Sequence, residues 1–179
     1  MRMGQRGSRG PVTVGPFLGA REELLPLFAQ ADDSPKEIDT YINLGEVLVA
    51  RRGQRIVGHV QLIAASAGWE IKSIAVIEKE RRRGIGATLM RAAIDRAFSA
   101  GASRVLVATA TADIGNLAFY QRLGFRMERI EQDAFGADRG YPPLEVDGIP
   151  VRDRVWFLIG DRGLAPRTRL RRTHIRRQT

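Results

Sequence analysis

Glu70-Ile-Lys-Ser-Ile-Ala-Val-Ile77, Arg81-Arg-Arg-Gly-Ile-Gly-Ala87 and Asn116-Leu-Ala-Phe-Tyr-Gln-Arg-Leu-Gly-Phe125 are the runs that decide the fold. The first is apolar and β-branched, which predicts a strand. From Gly84 to Ser99, Ile85, Leu89, Ala92, Ala93 and Ala97 recur on one stripe, which predicts a helix that Gly101 ends. Arg104-Val-Leu-Val-Ala-Thr109 is a second apolar strand, and Asp113 to Leu123 a second helix. The order is therefore strand, glycine loop, helix, strand, helix.

The glycine loop has a definite chemistry. Gly84 and Gly86 leave backbone N–H groups uncovered, and the loop feeds directly into a helix. Those groups then sit at the positive end of the helix dipole, a seat for phosphate or pyrophosphate. Arg81, Arg82 and Arg83 add positive charge at its rim. Two common phosphate loops do not fit. A Walker A loop ends in Gly-Lys-Ser/Thr, whereas Gly86 is followed by Ala87-Thr88. The dinucleotide fingerprint needs a third glycine where Leu89 stands.

Arg81-x-x-Gly84-x-Gly86, followed by Tyr120 four residues before Gly124-Phe125, resembles the GNAT superfamily of acetyl-CoA-dependent N-acetyltransferases. The resemblance covers roughly residues 12 to 160 and is sharpest from 70 to 125. It implies an α/β (α+β) fold with a mixed, mostly antiparallel central sheet of six to seven strands and helices on both faces. It also implies acetyl-CoA as the acetyl donor, with no metal. The backbone of Ile74, Ala75 and Val76 would pair with the pantetheine arm as an added strand. The loop Arg81, Arg82, Arg83, Gly84, Ile85, Gly86, Ala87 and Thr88 would hold the pyrophosphate. Many members carry an asparagine seven residues before the tyrosine. Here that place is Asp113, and Asn116 lies nearly one turn later on the same broad face.

An amine must lose its proton before it attacks a thioester, and the departing thiolate needs an acid. Glu70 stands where some GNAT enzymes carry a catalytic glutamate on the fourth strand, so the resemblance implies a base there. The alternative is a solvated acid at a strand start, paired with Lys72. Tyr120 is the matching acid; the alternative is a core tyrosine among Phe119, Leu123 and Phe125. His59, between Gly58 and Val60, has the titration range of a proton carrier, and it also reads as a satisfied or surface histidine. Trp69 and Trp156 read as core or pocket wall.

The chain has 179 residues, enough for one well-buried domain and short for two. It has no cysteine and only two histidines, His59 and His174, so a thiol nucleophile is excluded and a zinc or iron centre is not expected. No stretch approaches the roughly 20 apolar residues of a membrane span. The N-terminus lacks the apolar core of a secretion signal, so the expected location is cytoplasmic. The net charge is +9, yet much of the excess lies in the ends: Arg2, Arg6 and Arg9, then Arg162, Arg167, Arg169, Arg171, Arg172, Arg176 and Arg177. Basic ends of this kind are usually solvated arms, so nucleic acid is not the expected partner. The expected organisation is a disordered arm over 1–10, an acetyltransferase domain over 11–160 and a basic tail over 161–179, in a monomer or homodimer.

Elsewhere the pattern predicts a strand over Pro11 to Phe17, a helix over Ala20 to Gln30 and a second helix capped by Asp33 or Ser34 that Gly45 stops. A hairpin follows, Val47 to Ala50 and Ile56 to Ala64, and then the strand Trp69 to Ile77. Arg126 to Asp133 and Arg154 to Ile159 are the last strands, separated by a loop rich in glycine and proline.

Two internal stretches are acidic. Residues 31–48 hold Asp32, Asp33, Glu37, Asp39 and Glu46 against Lys36, and residues 128–153 hold seven acids against three arginines. In the family these regions form the acceptor side of the cleft. The resemblance thus implies a small-molecule acceptor bearing amines, met by Asp32, Asp33, Glu37, Glu70, Asp138, Tyr141 and Asp153. An aminoglycoside of the kasugamycin type fits best, which would make the enzyme one of antibiotic resistance. Polyamines and basic peptides also fit. A protein lysine or N-terminal acetyltransferase, and a non-catalytic CoA-binding or nucleic-acid-binding protein, are the competing classes.

Overall fold

The computed structural model describes residues 10–65 and 68–160. The expected N-terminal arm and basic tail, His174 included, lie outside the described residues, apart from Gly10 at the end of the arm.

The chain opens with β1 (Val12–Pro16), a 3-10 turn (Arg21–Leu24), α1 (Leu25–Phe28) and α2 (Pro35–Tyr41). Next come β2 (Glu46–Arg52), β3 (Arg55–Ala65), β4 (Gly68–Val76), a 3-10 turn (Glu78–Glu80) and α3 (Ile85–Ser99). Then follow β5 (Arg104–Ala110), α4 (Ile114–Arg122) and β6 (Arg126–Glu131). A small hairpin, β7 (Glu145–Val146) and β8 (Ile149–Pro150), precedes β9 (Arg154–Gly160).

One seven-stranded sheet runs in the order β1-β2-β3-β4-β5-β9-β6. Its pairings are antiparallel except β4 with β5. The mixed, mostly antiparallel sheet with helices on both faces is therefore as expected. On one face α3 buries Ile85, Leu89, Met90, Ala93, Ile94 and Ala97 against Val57, Val60, Leu62, Ile71 and Val105. Ala92, expected in that stripe, is only partly buried, and Met90 and Ile94 complete the face that the 3.6-residue period requires. On the other face Leu24, Leu27, Phe28, Ile38 and Tyr41 cover Val47, Val49 and Ala75.

The helix expected over Ala20 to Gln30 is instead a 3-10 turn followed by a single α turn. Pro26 explains the break: it lacks an N–H and fits only the first turn of a new helix. Ser34, not Asp33, caps α2, accepting a hydrogen bond from the Glu37 N–H at 3.2 Å. At the other end of α2, the buried Gln61 amide of β3 donates to the Tyr41 and Leu44 carbonyls at 2.7 and 2.8 Å. It thereby satisfies acceptors that the helix end leaves open. Gly45 follows with φ +59°, and a Cβ there would lie 1.9 Å from the Leu62 carbonyl oxygen. No side chain fits, so the stop after α2 is fixed by backbone contact. β6 ends at Glu131 rather than Asp133, because Asp133 turns to φ +51°.

Candidate active site

The site begins at the one parallel pairing. β4 and β5 are in register only at Trp69–Val105, Glu70–Leu106 and Ile71–Val107. Beyond that, β4 continues along β3 to Val76, and β5 continues along β9 to Ala110. The two strands diverge, and the edge of β4 after Ile71 lacks a strand partner on the β5 side. A cavity of about 810 Å³ fills the gap, lined by Lys72 to Val76 of β4 and Val107 to Ala110 of β5.

A β-bulge shapes this edge. Gln61 pairs with Ser73 and Leu62 with Ile71, so Lys72 is the extra residue. The bulge shifts the alternation of β4. Ile71, Ile74 and Val76 face the α3 core, while Ala75 meets Phe28 and Tyr41 on the opposite face.

At one end of the cavity lies the glycine loop. Gly84 caps α3 with φ +80° and no side-chain capping bond, and a Cβ built on it meets nothing within 4 Å. The first-turn amides thus open to the cavity, a cradle suited to a phosphate. Gly84, Gly86, Ala87, Arg81 and Arg82 line this end. Arg81 donates to the Val76 carbonyl at 2.9 Å and to Gln30 Oε1 at 3.2 Å, tying the end of β4 to the end of the α1 segment. Arg82 adopts φ +59°. Three residues expected here are not among the lining residues: the Arg83 side chain pairs with Glu80 at 3.0 Å, the Ile85 side chain is buried in the core, and the exposed Thr88 turns its hydroxyl to the Gly84 carbonyl at 3.2 Å.

The middle of the cavity holds Tyr120, Asp113, Asn116 and Phe119 of the α4 segment. Tyr120 is 4 % exposed, with its ring 5.4, 6.1 and 5.6 Å from those of Phe119, Phe125 and Phe157. Burial, and next the charge of Asp113, push its phenol above the usual tyrosine range. Tyr120 is thus a core aromatic, as one of the two readings had it, and it also lines the cavity. Asp113 caps α4, accepting from the Asn116 N–H at 2.8 Å. The Asn116 amide donates to Thr109 Oγ1 at 3.3 Å, bridging α4 to β5.

The far end is the acidic one. Asp32 and Asp33 reach it from the α1–α2 connection, Glu37 from the first turn of α2, and Glu70 from β4. Glu70 Oε1 lies 3.6 Å from Lys72 Nζ, and Lys72 Nζ lies 5.1 Å from the centre of the Tyr41 ring. The Tyr41 hydroxyl donates to Asp32 Oδ2 at 3.1 Å. Tyr141 also faces Asp32, and burial first, then that carboxylate, raises its phenol above the ordinary range. Phe135, Leu144, Val146, Val151, Arg154 and Trp156 form the remaining wall. Trp156 is a pocket-wall residue whose indole N–H donates to Glu131 at 3.0 Å, whereas Trp69 packs against the α3-side core.

Two expected acceptor residues are not in the cavity. Asp138 lies in a 3-10 turn (Ala137–Arg139), where its carbonyl accepts from Lys36 Nζ at 2.7 Å. The Asp153 carboxylate accepts from the Asp133 N–H at 3.0 Å and anchors the start of the loop. His59 is also absent from the lining. It is fully buried, with Nε2 2.9 Å from Ser73 Oγ, and burial followed by the Arg21 charge lowers its pKa to about 3. It is a buried histidine bonded through Nε2 alone, not a residue of the cavity.

The loop over the acidic end is held rather than open. Ser34 Oγ donates to the Arg139 carbonyl at 2.7 Å while it caps α2. Lys36 reaches the neighbouring carbonyl of Asp138, and Phe135 N–H bonds to the Arg152 carbonyl at 3.1 Å. Sequence reasoning missed Ser34's second bond, Gln30 and Phe135, which no local pattern marks. Among the described residues there is no group of His, Cys, Asp and Glu suited to a metal ion, and no helix is long and apolar enough to cross a membrane.

A splayed parallel pair, a bulged β4 and a glycine loop at a helix N-terminus define an acyl-CoA-dependent transferase. The acetyltransferase (GNAT) family model matches residues 19–125, and the chain belongs to that family. It is 34% identical over 135 residues to the uncharacterized N-acetyltransferase YvbK of Bacillus subtilis, a match spanning 75% of this chain and 86% of that protein. Its fold matches the IAA acetyltransferase of Bacillus cereus with a TM-score of 0.76 at 31% identity, covering 84% of this chain and 99% of the other. A GNAT acetyltransferase of Elizabethkingia anophelis, solved with acetyl-CoA bound, matches with a TM-score of 0.78 at 29% identity, over 83% and 97% of the two chains. The protein is an acetyl-CoA-dependent N-acetyltransferase.

Proposed function

We propose that the acceptor is a primary amine of a small cationic molecule, with the aminoglycosides, kasugamycin among them, as the best-fitting class. The observation that carries this reading is that four carboxylates, Asp32, Asp33, Glu37 and Glu70, line the cavity. Such a cluster concentrates cations and steers them inward. The loop tied down by Ser34 and Lys36 favours a compact acceptor over an extended peptide.

Acetyl-CoA is the donor substrate and supplies the activated acetyl group. The residues present suit it. The free β4 edge from Ser73 to Val76 can hydrogen-bond an extended arm, and the open cradle at Gly84 with Arg81 and Arg82 suits its phosphates. Glu70 takes the proton of the acceptor ammonium, directly or through a water. Tyr120 keeps its proton at working pH, since its pKa is raised, and donates it to the departing thiolate.

The test is CoA release from acetyl-CoA against kasugamycin, other aminoglycosides, spermidine and lysine peptides. Release that depends on an aminoglycoside, and that drops in Glu70→Gln, supports the proposal. Donor binding without release for any aminoglycoside rejects the acceptor class and leaves the family standing.

A further inference from the structure

We infer that the enzyme acetylates its own Lys72 when no acceptor is present. The inference rests on the donor site proposed above. Lys72 is the only lysine among the described residues that line the cavity. Its ammonium lies beside the proposed base, 3.6 Å from Glu70 Oε1, and 5.1 Å from the centre of the Tyr41 ring. A carboxylate and an aromatic face are the two partners that hold an ammonium ion. The residue is rooted in the β4 bulge, directly before the strand edge left free for the donor arm. Its side chain is 27 % exposed, so it is held inside the cleft rather than extended into solvent.

The chemistry balances with the groups at hand. Glu70 takes one proton from the Lys72 ammonium. The neutral Nζ attacks the thioester carbonyl, a C–N bond forms and the C–S bond breaks. Tyr120 protonates the thiolate and is reprotonated by the nitrogen's second proton through solvent. The products are an amide on Lys72, CoA and the proton left on Glu70, which is then released.

The chain offers its own controls, because its other lysines are Lys36 and Lys79. Full-length protein is incubated with acetyl-CoA and no acceptor, and acetylation of each lysine is followed by peptide mass spectrometry. Lys72 is expected to react about tenfold or more faster than Lys36 and Lys79, as a held nucleophile should. Its rate should not depend on protein concentration, and the advantage should vanish in urea. Glu70→Gln should slow Lys72 alone, by about tenfold or more; if that variant misfolds, the concentration and urea tests on the unaltered protein decide. Equal rates at all three lysines overturn the inference. So does an unmodified Lys72 in protein that releases CoA with an added acceptor, which leaves the donor site intact. Failure to bind acetyl-CoA in calorimetry removes the donor site and the inference together.

Discussion

Acidification should weaken this fold earlier than its carboxylates alone would. His59 is fully buried, its ring centroid is 4.4 Å from that of Phe28, and its Nδ1 has no hydrogen-bond partner. Burial and the nearby Arg21 hold its pKa at about 3, against an ordinary 6.5. The folded state therefore takes up a proton more reluctantly than the unfolded chain. Stability is full above pH 6.5 and declines as pH falls from there toward the folded value. The slope is roughly 1.4 kcal/mol per pH unit, so about 2 kcal/mol should be lost between pH 6.5 and about pH 5. That is a large share of the roughly 5–15 kcal/mol typical of a domain. Glu80 is held below the usual carboxylate value by Arg52, and Glu131 by the Trp156 indole N–H and then Arg154, so these acids lose their contribution only at lower pH. Urea unfolding at several pH values across this window measures the slope. His59→Gln, which keeps His174, should flatten the slope whatever it costs in packing. An equal slope in both proteins would refute the assignment.

Tyr120→Phe should lower kcat about a hundredfold while leaving donor affinity nearly unchanged, since it removes one proton and no charge; turnover and calorimetry separate the two. Arg82→Ala should weaken donor binding about tenfold, the scale of one charge-assisted contact, measured by titration with CoA. Ser34→Ala should cost about 1–2 kcal/mol in chemical unfolding and raise the acceptor KM, because one hydroxyl both caps α2 and holds the loop. Gly45→Ala should cost more than about 3 kcal/mol, visible as a large fall in Tm, since its Cβ would meet the Leu62 carbonyl oxygen at 1.9 Å.

Local chemistry in the sequence survived into the fold. The glycine loop, the α3 stripe and the strand Trp69 to Ile77 depend on neighbours a few residues away, and each stands within a residue or two of its expected bounds. Charge was less informative. Asp32, Asp33 and Glu37 reach the cavity, yet Asp138 and Asp153 from the second acidic stretch are fasteners of the loop. A carboxylate's sign is written in the sequence, but its direction is set by turns such as the positive-φ Asp133. The bond from Ser34 to Arg139 joins residues 105 apart, and no short-range pattern could foretell it. The Lys72 bulge was equally hidden, because Glu70 to Ile77 reads as an even strand. His59 reads from the sequence either as a proton carrier or as a satisfied or surface histidine, and only the fold shows that it is buried away from the cavity.

The three register pairs between β4 and β5 act as a rivet at one end of two stiff blades, β1 to β4 and β5-β9-β6. Beyond the rivet, the blades are bridged chiefly by side chains and by α3. If the donor binds as proposed, an arm that joins the free edge of β4 would clamp the seam, and the charged enzyme would be the tighter form. At a donor concentration a hundred times its Kd, mass action alone adds about 2.7 kcal/mol to the folded state. The protein's lifetime against proteases should therefore track the supply of its own donor, making the seam a gauge of acetyl-CoA as well as the place where it is consumed.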